Sequence, residues 1–147
     1  MDAASIAQAR LNAVSENVGF IEGDVADLAE ADGFALVTVF EALHDMGEPV
    51  NALAGFRRVL RAGGCVLVAD ERVANEFDPP TNAEERMQYA ASVLHCLPAT
   101  LAESDSVANG TVLRAPTVLR WGAEAGFERI EELSIDHPLW RFYRLSP

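Results

Sequence analysis

A histidine and several carboxylates follow two apolar runs in the middle of this chain, and these residue types can hold or move a proton. Glu41 and His44 come directly after the apolar run Phe34–Phe40, and Asp70 ends a second apolar run, residues 65–69. Histidine titrates near neutral pH, so it suits acid–base chemistry. A carboxylate at the end of the next run could orient its imidazole. The sequence therefore predicts either a base with its orienting group or a histidine that is structural or positions a substrate.

The two apolar runs are predicted to be neighbouring parallel strands joined by a helix. Near-continuous Val, Leu, Phe and Ala is the pattern of strands that are buried on both faces. Between them, Leu53, Phe56 and Leu60 recur at helical spacing. Pro49 suits the first helical turn, and Gly63-Gly64 suits the stop. Since ligands of open α/β sheets bind at the carboxyl ends of the strands, we expect the chemistry at that edge.

Flanking segments extend this βαβ unit into one α/β domain of 147 residues. Patterns of apolar residues and turn residues predict helices and strands on both sides of it. The predicted elements are a helix over residues 3–13, a short strand over 18–21, a short helix over 25–31, a helix ending at Gly126, and strands over 128–135 and 139–145. The last two strands are expected to form an antiparallel hairpin.

Several stretches together resemble class I S-adenosylmethionine-dependent methyltransferases. Residues 32–45 and 57–70 look like the fourth and fifth strands of that family with their flanking turns. Weaker likenesses are found at residues 2–10, 18–25 and 122–127. Ser92-Val-Leu-His-Cys-Leu-Pro98 and Leu139-Trp-Arg-Phe-Tyr143 resemble bacterial members that carry a winged-helix domain ahead of the catalytic one.

The resemblance implies an incomplete Rossmann-like fold with a mostly parallel sheet and a C-terminal antiparallel hairpin. The family's first two strands, its glycine-rich cofactor loop and its ribose-binding acid have no counterpart in this sequence, in which Asp2 is expected to cap a helix. Without those strands, the fourth strand would present an open apolar edge. We therefore expect a truncated domain that forms a homodimer through this edge.

The resemblance also implies S-adenosylmethionine as cofactor. By the family pattern, the Asp24 side chain accepts a hydrogen bond from the adenine amino group and the Val25 backbone N–H donates to the ring. Phe40 and Glu41, at the tip of the fourth strand, line the adenosine pocket. The alternative for Asp24 is that it caps the turn or the helix that follows.

Acceptor binding is assigned by the same resemblance to residues 71–101, which correspond to an insertion that covers the methyl acceptor. In small-molecule O-methyltransferases the histidine at the position of His44 removes the hydroxyl proton. An apolar face containing Met87 and Leu94 favours an apolar or aromatic acceptor, and ordinary core packing of that face is the alternative.

Composition narrows the possible partners. The net charge is −12 and the 11 basic residues, all arginine, are scattered, so binding to nucleic acid is not expected. No apolar run approaches the length that crosses a bilayer. Two cysteines give neither a disulfide framework nor the spacing of a metal site, and they favour the cytoplasm. The sequence thus predicts the cofactor core and lid of a methyltransferase for a small molecule, active only when an N-terminal part is present and inactive as this chain alone, or alternatively a non-catalytic module that acts by self-association or binding.

Overall fold

A computed structural model describes residues 3–15, 17–28, 33–103 and 109–147. The helices are α1 (Ala3–Asn12), α2 (Pro49–Val59), α3 (Ala83–Ala91), α4 (Leu97–Glu103) and α5 (Ala115–Glu124), with a π-helical segment (Ser92–Cys96) joining α3 to α4. The strands are β1 (Phe34–Phe40), β2 (Leu60–Glu71), β3 (Arg129–Leu133) and β4 (Trp140–Ser146). Two 3₁₀ turns are found at Val25–Asp27 and Leu43–Asp45.

The four strands form one mixed sheet in the order β1-β2-β4-β3. Strands β1 and β2 are parallel, while β4 runs antiparallel to both β2 and β3. The register pairs Phe40 with Ala69, so the carboxyl ends of β1 and β2 lie side by side. The predicted α/β fold with a C-terminal antiparallel hairpin is confirmed. The described sheet is mixed and not mostly parallel, because only the pair β1–β2 is parallel among its three strand pairs.

One face of the sheet carries the core, because α2 and α5 each present an apolar stripe to it. Leu53 of α2 and Val118 of α5 are fully buried against Val66 and Val68 of β2. On β1, which is an edge strand among the strands that the structure describes, the side chains of Phe34, Leu36 and Phe40 are about half exposed. In the described part of the chain, no helix is long and apolar enough to cross a membrane.

The predicted end of the central helix is wrong. Helix α2 ends at Val59, and β2 begins at Leu60, so Gly63 and Gly64 lie inside the strand. Gly63 has a positive φ of 75°, and a Cβ on Gly64 would lie 2.7 Å from the Phe34 carbonyl oxygen. The glycines are needed where β2 passes close to the start of β1, beside a break in the register.

The predicted strand over residues 18–21 is also wrong. Val18 and Ile21 are exposed in irregular chain, and no described strand lies beside them. A strand needs a neighbour to satisfy its backbone hydrogen bonds. Of the predicted short helix over 25–31, the structure shows the turn Val25–Asp27, and residues 29–32 lie outside the described part. The helix expected over residues 3–13 is found, as α1.

The segment from α3 to α4 has polar residues inside and apolar residues outside. The Asn82 side chain caps α3 by accepting from the Glu85 N–H. Glu85, Ser92 and Thr100 are buried, whereas the exposed apolar residues are Met87, Val93, Leu94 and Leu101. Ordinary core packing of Met87 and Leu94 is therefore wrong for this chain.

Arg114, at the N-cap position of α5, ties this segment to the rest of the fold. Its guanidinium donates to Glu85 Oε1 and to Tyr89 Oη, each at 2.8 Å. It also donates to the carbonyl oxygens of Ala74 and Glu76. Because Glu85 is 4% exposed, this ion pair is largely screened from water.

Candidate functional site

The structure brings His44 and Asp70 together at the carboxyl end of the two parallel strands. His44 Nδ1 lies 2.8 Å from Asp70 Oδ1, and both side chains are buried. Asp70 Oδ1 also accepts the Glu71 N–H at 3.0 Å. An ionised carboxylate beside Nδ1 makes that nitrogen the donor, so Asp70 fixes the orientation of the ring and leaves Nε2 on the other side.

Local backbone geometry explains this meeting. Asp70 is the second-last residue of β2, while His44 lies in the 3₁₀ turn Leu43–Asp45 just beyond β1. The parallel register ends the two strands at the same level. Glu41, between β1 and the turn, has a positive φ of 50° and donates its N–H to the Ala69 carbonyl oxygen at 2.9 Å. A non-glycine residue in that conformation costs about 1–3 kcal/mol, a cost often found at functional sites.

His44 and the residues around its ring form one cluster, whose other members are Asp45, Asp70, Glu71 and Cys96. The carboxylates of this cluster determine the charge of His44. Burial would lower the pKa of His44, but the hydrogen bond and charge of Asp70, with the charges of Glu71 and Asp45, raise it to about 9. Burial and the contacts with Asp70 raise the pKa of Glu71 to about 9. At neutral pH His44 is therefore an imidazolium. Glu71 Oε2 is buried without a hydrogen-bond partner among the described residues, 3.3 Å from His44 Nδ1.

Asp45 lies on the Nε2 side of the ring, and Cys96 lies close to both Asp45 and His44. His44 Nε2 is 3.4 Å from Asp45 Oδ1, and Asp45 is about half exposed. The sulfur of Cys96 lies within 4.8 Å of a ring nitrogen of His44 and of an Asp45 oxygen. Burial and the neighbouring Asp45 raise the pKa of the Cys96 thiol to about 11. The Thr100 hydroxyl donates to the Asp45 and Cys96 carbonyl oxygens, which fastens α4 to the turn.

The sequence did not predict that Cys96 and Asp45 lie close together beside His44. Cys96 belongs to the π-helical segment, whose wider turn changes which side chains face inward. The contact depends on how α3 and α4 lie over the sheet, and no sequence spacing encodes it. The sequence offered only a weak signal, which is that Ser92, Cys96 and Thr100 recur at four-residue spacing and so share one side of a helical segment.

Two of the residues predicted to bind the cofactor lie in a cleft next to the cluster. Its volume is about 450 Å³, and it is lined by residues 23–26, 45–48, 51 and 52. Asp24, Val25 and Asp45 are among the residues that line it. Asp24 Oδ1 accepts the Ala26 N–H at 2.8 Å, so one oxygen of this carboxylate caps the turn, as the alternative interpretation predicts. The capping bond does not use the other oxygen.

Phe40 and Glu41, the other two predicted cofactor residues, do not line this cleft. Phe40 is 53% exposed at the end of β1. The Glu41 carboxyl group contacts Glu71 and contributes to raising the Glu71 pKa. The structure thus separates the four residues into a pair in the cleft and a pair at the tip of β1.

Residues 1–125 match a family model that is described as a methyltransferase domain. Among curated proteins, a demethylmenaquinone methyltransferase of Renibacterium salmoninarum is 34% identical over 106 residues, which is 71% of this chain. The chain spans 42% of the length of that relative.

Solved structures show the same fold. The CMeT domain of the citrinin polyketide synthase gives a TM-score of 0.70 at 12% identity, covering 99% of this chain and 37% of that one. CalO1, described as a methyltransferase in calicheamicin biosynthesis and solved with S-adenosylhomocysteine, gives 0.66 at 23% identity, covering 99% of this chain and 39% of that one.

Proposed function

The chain belongs to the methyltransferase domain family, and from this premise we propose that it takes part in methyl transfer from S-adenosylmethionine to a small, apolar or aromatic hydroxyl acceptor. The resemblance to class I S-adenosylmethionine-dependent methyltransferases is confirmed by the family match; the winged-helix linkage stays a prediction. The observation that supports the proposed reaction is the buried His44–Asp70 pair beside an acidic cleft. The free thiols of Cys65 and Cys96 are compatible with the predicted cytoplasmic location.

The chemistry of the cleft suits the adenosine end of the cofactor. An adenine amino group needs a hydrogen-bond acceptor, and Asp24 is an exposed carboxylate on the wall of the cleft. The cleft volume lies within the roughly 300–1,000 Å³ of small-molecule sites. We propose that Asp24 and Val25 bind the adenine there, with Phe40 and Glu41 at the outer rim. When bound, S-adenosylmethionine supplies an electrophilic methyl group and a positive charge.

At the acceptor end, we propose that His44 receives the hydroxyl proton while Asp70 holds the ring. In this arrangement Nε2 would take the proton of the acceptor hydroxyl, and the cofactor would supply the methyl group to that oxygen. Since His44 is an imidazolium in the cluster on its own, a positive charge brought to this edge would favour its neutral, proton-accepting form. Residues 71–101 cover this end, since Thr100 and Cys96 lie against the turn that carries His44.

Binding of S-adenosylhomocysteine tests the cofactor site without turnover. We expect calorimetric titration of the chain to give a dissociation constant on the order of micromolar, and Asp24→Asn to weaken it roughly tenfold. Asparagine keeps the cap but turns an NH₂ group towards the adenine amino group. Asp27→Asn, on the same turn but outside the cleft, is the control. No binding by the unmodified chain would contradict the proposed site.

A second function, self-association without catalysis, is supported by the edge strand β1. Its exposed Phe34, Leu36 and Phe40 offer both backbone groups and apolar surface to a second copy. We expect light scattering at micromolar concentration to give twice the 15.9 kDa of one chain. Leu36→Lys should return the monomer, because a charge on an edge strand opposes pairing. Leu119→Lys, on exposed α5 surface, should leave the dimer intact. A strictly monomeric unmodified chain would rule out this function.

A further inference from the structure

The ring of His44 is held on one side by Asp70 and lies next to two potential metal ligands, Asp45 and Cys96. On the Nδ1 side, the 2.8 Å hydrogen bond to Asp70 leaves no room for an ion between the two atoms. On the Nε2 side stands an Asp45 carboxylate oxygen, and the Cys96 sulfur lies within 4.8 Å of an Asp45 carboxylate oxygen and of a ring nitrogen of His44. In metal sites a histidine usually binds the ion through one ring nitrogen and donates the N–H of the other to a carboxylate or carbonyl oxygen. His44, with Nδ1 held by Asp70, has the corresponding arrangement with Nε2 available.

The separation of the ligand atoms matches a tetrahedral ion. Bond lengths of about 2.1 Å to nitrogen and oxygen at a tetrahedral angle put those two atoms about 3.4 Å apart. Nε2 and Asp45 Oδ1 are 3.4 Å apart, which is longer than a good charge-assisted hydrogen bond. The Cys96 sulfur lies within 4.8 Å of a His44 ring nitrogen and of an Asp45 oxygen, so a shift of at most about 1 Å would bring it to a bond of about 2.3 Å.

We propose that Nε2 of His44, a carboxylate oxygen of Asp45 and the sulfur of Cys96 bind one Zn²⁺ ion. Nitrogen, oxygen and sulfur ligands together suit zinc, and three protein ligands leave a fourth position for water or a substrate oxygen. Binding displaces two protons to solvent, one from the Cys96 thiol and one from Nε2 of His44. Asp45 also lines the cleft, which gives the ion a route to the site and the fourth ligand a source.

The zinc site goes beyond the proposed methyl transfer and does not depend on it. A zinc ion and a proton compete for the same lone pair on Nε2, so the loaded chain cannot use His44 as a base. A hydroxyl bound at the open position would instead lose its proton more easily because zinc withdraws charge from it.

Cobalt(II) in place of zinc gives a direct readout of the cysteine ligand. The chain is first freed of metal with a chelator under reducing conditions and then titrated with Co²⁺. We expect one equivalent to produce an intense thiolate-to-cobalt charge-transfer band, and one equivalent of Zn²⁺ to abolish it. Cys96→Ser should remove the band, whereas Cys65→Ser, a change of the other free cysteine in β2, should keep it.

Asp70→Asn tests the supporting carboxylate. It should weaken cobalt binding by roughly 10–100-fold while the band stays in place at saturation. Circular dichroism of each metal-free variant shows whether it folds. Absence of the band in the folded, unmodified chain, or its persistence in Cys96→Ser, would overturn the proposal. Titration with S-adenosylhomocysteine on the metal-free chain reports the cofactor site separately, so that one proposal can fail without the other.

Discussion

Replacing His44 with glutamine, in a version of the protein that also carries the family's first two strands and glycine-rich loop, is expected to slow methyl transfer by roughly 10²–10⁴-fold, the usual contribution of a positioned general base. Glutamine can still donate a hydrogen bond towards Asp70, but it has no nitrogen lone pair that takes a proton at neutral pH. The measurement is transfer of a labelled methyl group from S-adenosylmethionine to a panel of phenols. Chelator-treated protein is used, so that loss of a base is not confused with loss of a metal ligand.

His95→Gln is the matched control for this change. His95 is an exposed histidine in the π-helical segment, outside the cluster. The same substitution there should leave the rate within a factor of about two, since exposed surface changes away from special features have small effects. An unchanged rate in His44→Gln would remove the base role and leave a structural or substrate-positioning histidine.

Replacing Arg114 with methionine is expected to lower the free energy of unfolding by about 3–5 kcal/mol, the cost of leaving one charge of a buried pair without its partner. Glu85 would keep a buried carboxylate after losing its guanidinium, and Tyr89 would lose the same donor. The backbone carbonyls at Ala74 and Glu76 would also lose a donor. Urea unfolding followed by circular dichroism measures the change.

Two further variants separate the buried pair from general effects of charge. Arg120→Met breaks an exposed pair with Glu124 on α5 and should cost less than about 1 kcal/mol. Glu85→Gln introduced into Arg114→Met should recover part of the loss, because an amide is less costly to bury alone than a carboxylate. Equal effects of Arg114→Met and Arg120→Met would contradict the role assigned to the buried pair.

Local patterns were enough to predict β1 and the meeting of His44 with Asp70. The run Phe34–Phe40 was expected to be a strand buried on both faces; the strand is found, but that burial is wrong, since most of β1 is exposed at the edge of the described sheet. A right-handed βαβ unit leaves little choice of where the next strand ends. Parallel register then places the residue after one strand beside the last residues of its neighbour. The catalytic roles of the pair stay a prediction.

Tertiary contacts decided what the sequence did not predict. Gly63 and Gly64 were predicted to stop the helix, yet a positive φ requires Gly63 and the close approach of β2 to Phe34 requires Gly64. Residues 18–21 have the composition of a strand but find no described neighbour to pair with. Cys96 meets Asp45 only because the π-helical segment and α4 lie across the turn at His44. None of these outcomes depends on local spacing.

The position of β4 in the middle of the sheet sets the order in which the chain can fold. Strands β1 and β2, joined by α2, are close in sequence and can pair early, since short loops close quickly. The other edge of β2 stays unpaired until β4, the last of the four strands in the sequence, has formed. In the folded sheet β4 pairs with β2, for example Leu145 with Val66. Until then the nascent domain is a two-stranded intermediate with both edges of its sheet free. Misfolding and aggregation are therefore most probable before β4 docks, and fast formation of the β3–β4 hairpin would protect the chain.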